Sequence, residues 1–428
     1  MPALRDVLDR LRTDAGLARG ILRDLLAARR ARHAVAGLLA TRGPLPADRF
    51  EIGVYFADAD INLYQVRQWY RPLQELARTH PVVLLSRNAS AAEVLLRESP
   101  VPVAYVRSVA DLESTIASQP LRIVLYVNQN SRNFQMMRYG RRWHVFVNHG
   151  ESDKMYMTTN QYKAYDYSLI AGDAALARLH RVLWDFDFDK RTLAIGRPQA
   201  DHFAGRTPFA PDERQVVLYA PTWEGDRPAA GYGSIRSHGV ALAEALLADR
   251  RFRLIYRPHP RSGAVDPQYG AADRRIVALL AAANAADPSA HHVHDTGAEL
   301  GWQLAAADVA ILDVSAMVYD RLATGRPLMV TRPTSPDAEV DETGYLGGAE
   351  WLRAEDASAI ADRIGAVEHD ESSAARLDRW VTHYFGDTTP GAATARFHAA
   401  IETLLAEWEH HAALHRDDPA VDDRDPEA

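Results

Sequence analysis

Short apolar runs alternate with amphipathic stretches along most of this 428-residue chain, and this alternation limits the folds that the chain can adopt. Runs of about four to eight apolar residues bounded by turn residues are typical of buried strands, whereas apolar residues that recur about every three to four positions are typical of helices. Strands that are separated by helices pair in parallel and are covered on both faces. The sequence therefore predicts an α/β protein with mostly parallel sheets.

The predicted strands fall into two groups, and each group predicts one α/β domain. The first group is Phe50–Ala57, Pro81–Ser86, Val101–Val106, Leu121–Asn128, Trp143–Asn148, Tyr167–Ala171 and Thr192–Gly196. The second group is Gln215–Ala220, Phe252–Arg257, His291–His294, Asp308–Leu312 and Pro327–Thr331. Helical patterns lie at Gln65–Thr79, Asp173–Leu183, Ile235–Asp249, Ala271–Ala285, Ala357–Glu368, Ser372–Tyr384 and Ala392–His410. We therefore expect domains at 47–205 and 206–385 that face each other across a ligand-binding cleft at the carboxyl ends of their strands.

The segments outside these two domains differ in charge. Residues 1–43 carry nine arginines against four aspartates, with leucines at helical spacing, so residues 1–46 are predicted to form a basic amphipathic helical segment. Two interpretations fit this segment: a helix packed on the rest of the protein, or a helix docked on an anionic membrane face. A closing helix is predicted at residues 386–412, and an acidic, disordered tail is predicted at residues 413–428.

Composition excludes several classes of function. The chain has no cysteine, which excludes a disulfide framework, thiol catalysis and cysteine-ligated metals. The net charge of −8 argues against a general nucleic-acid binder. No apolar run reaches the roughly 20 residues of a membrane span, and the start of the chain lacks the order of a signal peptide, so we expect a cytoplasmic protein.

Polar residues follow two predicted strands of the second domain. Arg257 and His259 follow the apolar run Phe252–Tyr256 and lie among prolines that fix the backbone, which predicts phosphate binding at the sheet edge. Asp313 and Ser315 lie between a later strand and a helix, and a serine at the helix start predicts an anion site. The alternatives are a histidine that only packs and a serine cap without a ligand.

The first domain has one comparable position. The strand Trp143–Asn148 ends at His149, beside Gly150, where a neutral imidazole can take a proton from an attacking hydroxyl because histidine titrates near neutral pH. Lys154 would add positive charge for a phosphate. The alternative is a turn histidine that is hydrogen-bonded to the backbone.

Three further patterns are weaker. The alternating acids of Asp185–Asp189 would suit a divalent cation if they lay on a strand, but their position favours a solvated loop. His291, His292 and His294 lack partner ligands. Gly231–Ser234 is not a Walker loop because no Gly-Lys-Ser/Thr follows, and we interpret it as a loop over the cleft.

Six motifs in this order resemble those of the CDP-glycerol glycerophosphotransferases, the primases and polymerases of bacterial wall teichoic acid. They are His149-Gly150 with Lys154, Gly196–Asp201, Leu218–Trp223, Arg257–Pro260, Asp313–Ser315 with Tyr319-Asp320, and Gly325–Pro327. The resemblance covers about residues 140–400 and implies a GT-B fold, with two Rossmann-like domains that face each other and a nucleotide donor held mainly by the second. It also implies attachment to the inner face of the cell membrane.

The same resemblance implies roles for individual residues. His149 would be the base, His259 the second catalytic histidine, and Gly150 and Lys154 would contact the acceptor. The donor would be bound by Arg257, Pro221, Thr222, Trp223, Asp313, Ser315 and Ala316. We expect no metal or other cofactor besides the CDP-linked donor. The chain departs from the family pattern at Val314–Ala316, where the family has a tyrosine and paired serines, and at Glu151–Asp153, where two acids would lie near the acceptor.

These observations lead to one main hypothesis. The protein would move glycerol phosphate or a similar polyol phosphate from a CDP-linked donor to a hydroxyl of a lipid-linked or saccharide acceptor, releasing CMP, in the synthesis of a teichoic acid-like polymer. The alternatives are a GT-B glycosyltransferase that uses a nucleotide sugar and an inactive nucleotide-binding scaffold. No nucleic-acid partner is expected.

Overall fold

The computed structural model describes residues 23, 25–153, 158–297 and 300–418, and two parallel sheets organise this part of the chain. The strands are β1 Ile52–Phe56, β2 Val82–Ser86, β3 Val103–Tyr105, β4 Ile123–Tyr126, β5 Trp143–Phe146, β6 Tyr167–Ile170, β7 Thr192–Ala194, β8 Gln215–Ala220, β9 Phe252–Tyr256, β10 Val293–His294, β11 Val309–Leu312, β12 Leu328–Thr331 and β13 Trp351–Leu352. The first sheet has the order β3-β2-β1-β4-β5-β6-β7, and the second has the order β10-β9-β8-β11-β12-β13. Strand β1 runs parallel to β2 and β4, and β8 runs parallel to β9 and β11, so carboxyl ends meet at one edge of each sheet.

Helices connect the strands, and the alternation confirms the predicted α/β class. The first, α1, spans residues 25–42. The others are α2 Tyr64–Arg67, α3 Tyr70–Leu76, α4 Ala89–Glu98, α5 Val109–Ser118, α6 Phe134–Met137, α7 Asp173–Val182, α8 Phe188–Arg191, α9 Val240–Ala248, α10 Pro267–Ala286, α11 Trp302–Ala306, α12 Ala316–Leu322, α13 Ile360–His369, α14 Glu371–Phe385 and α15 Ala392–Leu414. Within the described ranges, none of these helices combines the length and the apolarity that a bilayer span requires.

The described chain divides into two compact units. The first unit contains the described residues up to His149, residues 164–168 and the part from Ile401 onward; the second contains the described residues of 150–163 and 169–400. The sequence predicts a domain boundary near residue 205. The described residues of 150–163 and 169–205 belong to the second unit, in which α7 packs on α14.

Alternation along β8 explains the layered core of the second unit. Leu218 and Ala220 lie in one buried cluster, and Val217 and Tyr219 lie in another. Successive residues of a strand point to opposite faces of the sheet, so one continuous apolar run supplies both layers.

Three elements differ from the sequence predictions for physical reasons. The stretch 65–79 forms α2 and α3 instead of one helix, because Pro72 lacks an N–H and fits only in the first turn of a helix. The stretch 235–249 begins with a wider π-helical turn, Ile235–Gly239, before α9. Strand β13 was not predicted because two residues carry no detectable period.

The predicted basic segment is helical over residues 25–42 and not over residues 43–46. Ala31 and Val35, one turn apart in α1, are buried, whereas Leu25 and Leu26 are 59% and 46% exposed. Residues 1–22 and 24 of this segment lie outside the described residues, as do residues 419–428 of the predicted acidic tail.

Candidate functional site

His149 lies just after β5, in the turn that leaves the strand. Its Nδ1–H donates a hydrogen bond of 2.9 Å to the carbonyl oxygen of Val127, which follows β4. A carbonyl oxygen can only accept, so in the neutral imidazole this contact favours the tautomer with its proton on Nδ1 and its lone pair on Nε2. The Tyr64 ring packs edge-on against the imidazole at 5.7 Å between centroids. The imidazole is therefore oriented, and its basic nitrogen is Nε2.

A polar cluster that the sequence analysis missed lies at the ends of β1 and β4. Asn128 donates from its amide to Asp58 at 2.6 Å and to Gln65 at 2.8 Å, and Asn130 donates to the other oxygen of Asp58 at 2.7 Å. A signal was present in the sequence, because Asp58 and Asn128 are each the second residue after a buried strand. Polar residues at such positions face the edge where α/β proteins bind ligands.

His259 follows β9 in the second unit, and its surroundings impose the other tautomer. The backbone N–H of Arg261 donates to Nδ1 at 3.1 Å, and the backbone N–H of His259 itself donates to the Pro221 carbonyl at 3.1 Å. Because Nδ1 accepts, the neutral ring carries its proton on Nε2. Burial lowers the pKa of the His259 imidazole and the Arg261 guanidinium lowers it further. At neutral pH this histidine is an uncharged Nε2–H donor, and no described residue accepts from it.

Trp223 joins the loops after β8 and β9. Its ring stacks on the His259 imidazole at 6.4 Å between centroids, and the Arg261 guanidinium carbon lies 3.8 Å from the Trp223 ring centroid. The next residue, Glu224, accepts hydrogen bonds of 2.7 to 3.0 Å from three backbone amides within residues 263–266. These contacts fix the backbone that presents His259.

Arg257 is less available to a ligand than its position in the sequence indicated. Its guanidinium donates to the Asp295 carboxylate and, at 3.0 Å, to the Gly297 carbonyl. Two of its five N–H groups are used in this way, and the others have no partner among the described residues. The carboxylate of Asp295 is held in turn by the amide of Gln303 at 2.5 Å.

Asp313 is fully buried after β11 and braces three segments. One carboxylate oxygen accepts from the backbone N–H groups of Thr222 and Ser234 at 2.7 and 3.0 Å, and the other accepts from the Thr331 hydroxyl at 2.6 Å. Burial raises the pKa of this carboxyl to about 6, although these hydrogen bonds oppose the shift. Asp313 is fully buried and therefore supports the surrounding loops, including the glycine-rich one.

Ser315 stands at the start of α12, as the sequence predicted. Its side chain makes no capping hydrogen bond, and its Oγ is buried without a partner in the described part of the chain. Ala316, the first residue of the helix, is exposed. The hydroxyl of Ser315 is thus available for a further hydrogen bond.

The two acids that depart from the family pattern are buried in the second unit. Asp153 accepts from Arg178 at 2.8 Å, from the Tyr319 hydroxyl at 2.7 Å and from the Tyr384 hydroxyl at 2.5 Å. Glu151 pairs with the same Arg178. Both carboxylates share the single guanidinium of Arg178 inside a packed cluster, so each acid has a structural partner.

Other residues singled out in the sequence have structural contacts. Arg197 and Asp320, from two different motifs of the resemblance, form a buried ion pair. Gly150 is the first residue of the second unit, and Lys154 lies outside the described residues.

The weaker sequence patterns have structural contacts in the described residues. Asp187 caps the short helix α8 by accepting from the Lys190 N–H, so the alternating acids do not lie on a strand. His292 accepts from the Leu254 N–H through Nδ1 inside the sheet. Within the described residues, no three or more His, Cys, Asp or Glu side chains are grouped as a metal site.

Comparison with solved structures assigns the fold. No family model matches the sequence, and no curated protein is similar to it. The wall teichoic acid polymerase TagF has a TM-score of 0.56 and 12% identity over 84% of this chain and 90% of that chain. A TagF variant soaked with CDPG has a TM-score of 0.55 and 13% identity, over 84% of this chain and 89% of that chain. A Listeria monocytogenes protein described as a UDP-N-acetylglucosamine 2-epimerase has a TM-score of 0.55 and 15% identity, over 84% of this chain and 97% of that chain. The fold is GT-B.

Proposed function

We propose that this protein is a transferase that moves a polyol phosphate from a CDP-linked donor to a hydroxyl of a lipid-linked or saccharide acceptor, in the synthesis of a teichoic acid-like polymer. One observation carries the proposal: backbone contacts favour opposite tautomers for the two histidines at strand ends, an acceptor at Nε2 of His149 and a donor at Nε2 of His259. Phosphoryl transfer to a hydroxyl needs both a proton acceptor and donors to the phosphate oxygens. The likeness in fold to TagF supports this class of reaction.

In the proposed reaction, Nε2 of His149 takes the proton of the acceptor hydroxyl. The acceptor oxygen attacks the phosphorus that bears the polyol, and the bond from this phosphorus to the bridging oxygen breaks. CMP leaves with the electron pair of that bond. His259 and the remaining N–H groups of Arg257 donate to the pyrophosphate oxygens, and Ser315 adds a hydroxyl. Each well-placed donor contributes roughly 3–4 kcal/mol to transition-state stabilisation.

We assign the remaining predicted residues to binding. Pro221, Thr222, Trp223 and Ala316 line the donor position, and Asp313 keeps the loops in place. Gly150 and Lys154 contact the acceptor. We propose that the reaction needs no metal, with Arg257, His259 and Ser315 as the donors to the pyrophosphate oxygens.

The substrates are tested by incubating the protein with CDP-glycerol, CDP-ribitol and UDP-sugars, each with a lipid-linked or saccharide acceptor. Release of CMP that depends on the acceptor supports the proposal. Release of UDP from a UDP-sugar supports the second candidate, a GT-B glycosyltransferase, which is favoured by the likeness in fold to a protein described as acting on a UDP-sugar. Nucleotide binding without turnover of any donor supports an inactive scaffold.

We also propose that α1 and the residues before it dock on an anionic membrane. The exposed Leu25 and Leu26 and the arginines of this segment suit such a surface. Deleting residues 1–43 should release the protein from anionic vesicles and leave activity on a soluble acceptor intact. Equal vesicle binding by the truncated protein would refute this docking.

A further inference from the structure

Buried amides lie beside His149, and the reaction as described above gives them no role. Gln65, Asn128 and Asn133 are 9%, 7% and 0% exposed. Burying an amide is costly unless it is hydrogen-bonded, and a satisfied polar network makes its surroundings rigid.

The first line of contacts leads to the carbonyl that orients His149. The Asn128 side chain is held by Asp58 at 2.6 Å and by Gln65 at 2.8 Å, and its backbone carbonyl accepts from the Asn133 amide at 2.7 Å. Asn128 is thus fixed through its side chain and its backbone. The peptide that joins it to Val127 is therefore fixed as well, and with it the carbonyl oxygen that accepts from Nδ1 of His149.

A second line of contacts leads to the face of the imidazole. The Gln65 amide, which accepts from Asn128 through its oxygen, donates through its nitrogen to the Tyr64 hydroxyl at 3.3 Å. The Tyr64 ring packs edge-on against His149. Both lines start at Asn128 and end at the same ring.

We propose that Asn128, held by Asp58 and Gln65, is a positioning residue that fixes the tautomer and the orientation of His149. The nitrogen that carries the proton of a neutral imidazole is set by the hydrogen bond of the other nitrogen, so the placement of the Val127 carbonyl decides which nitrogen is basic. The proposal rests on the proposed function only for the role of His149 as the base.

The kinetic test uses Asn128→Ala, with Asn284→Ala as the matched control. Asn284 also braces backbone through both ends of its amide, with the N–H and the carbonyl of His292 at 2.8 Å, but it lies in the second unit. We expect Asn128→Ala to lower kcat about ten- to hundredfold with KM for the donor unchanged, because misplacing a catalytic group affects turnover. Asn284→Ala should leave kcat unchanged. In a His149→Ala background, Asn128→Ala should have no further effect on turnover, because it acts through that ring.

A spectroscopic test needs no turnover. In protein with ¹⁵N-labelled histidine, the His149 signals are assigned by their loss in His149→Gln. In the wild-type protein the His149 ring should carry its proton on Nδ1. In Asn128→Ala the same ring should shift toward the Nε2–H tautomer. Asp58→Asn, which keeps the volume but removes an acceptor from Asn128 or Asn130, should shift it in the same direction and serves if Asn128→Ala does not fold.

The outcomes separate the two proposals. A wild-type ring with its proton on Nε2, or a folded variant with unchanged tautomer and kcat, overturns the positioning role. A tautomer that shifts while His149→Ala retains full turnover supports the positioning role and refutes His149 as the base.

Discussion

His149 and His259 both follow a parallel strand, yet their surroundings favour opposite tautomers. His149 donates from Nδ1 to a carbonyl oxygen, which leaves a base at Nε2, whereas His259 accepts at Nδ1 from a backbone N–H, which leaves a donor at Nε2. In both cases the histidine is the third residue after the end of its strand. The backbone group that faces Nδ1 therefore determines what a histidine can do in the proposed reaction.

The largest effect is expected for the proposed base. His149→Ala should lower kcat at least about a hundredfold, because general-base catalysis is lost. His149→Gln should be as inactive, since an amide nitrogen cannot take a proton. Initial rates of CMP release measure both. The control is His369→Ala, because His369 also donates from Nδ1 to a backbone carbonyl, that of Gly365 at 2.7 Å, but lies at the end of α13.

The comparison is sharpest when the same substitution is made at His259. His259→Ala should also lower kcat about a hundredfold, because a donor to the phosphate is removed. His259→Gln places an amide N–H near the former Nε2–H, so it should recover activity to within about tenfold of wild type, unlike His149→Gln. Equal loss for both glutamine variants would show that the two histidines do not differ in the proposed way.

A smaller effect is expected when the support of His259 is weakened. Trp223→Ala removes the ring that stacks on His259 and Arg261, which should raise KM for the donor about tenfold. Trp223→Phe keeps an aromatic face, so its KM for the donor should stay within about threefold of the wild-type value. Donor titrations at saturating acceptor measure both variants, and equal KM values for wild type and Trp223→Ala would remove this residue from donor binding.

Asp313 supports the loops of one histidine only, and its substitution is expected to change the pH dependence of stability. Its pKa is raised to about 6 in the folded protein, above the ordinary 3.8, so between these values the folded state binds more protons than the unfolded state. The raised pKa therefore contributes about 3 kcal/mol to the free energy of unfolding below about pH 4. This contribution is lost as the pH rises through about 6.

Asp313→Asn lacks this titration. The contributions of the other titrating groups cancel when its free energy of unfolding is subtracted from that of wild type. The free energy of unfolding of wild type minus that of Asp313→Asn should thus decrease between pH 4 and pH 7, as measured by urea unfolding at several pH values. A difference that is constant or increases with pH would contradict the pKa given to Asp313.

Much of the fold could be predicted because it depends on local patterns. The apolar run Gln215–Ala220 is the observed β8, and the helix expected at Ala392–His410 is α15 with a longer end. The tautomers could not be predicted, since they depend on contacts between segments. Val127 and His149 are 22 residues apart, and Asp58 and Asn128 are 70 apart.

The same limit applies to charge. The sequence indicated that Arg257 was available to a phosphate, but the carboxylate of Asp295 engages part of its guanidinium. The sequence predicts Glu151 and Asp153 near the acceptor, and in the structure both pair with Arg178, 27 and 25 residues away. Periodicity locates elements, but it carries no information on which ionic groups neutralise each other.

The most direct test of the account is the protonation of the two rings in wild-type protein. Histidine ¹⁵N shifts, assigned with His149→Gln and His259→Gln, should report the proton on Nδ1 in His149 and on Nε2 in His259 at a pH where both rings are neutral. The same tautomer in both rings would contradict the account.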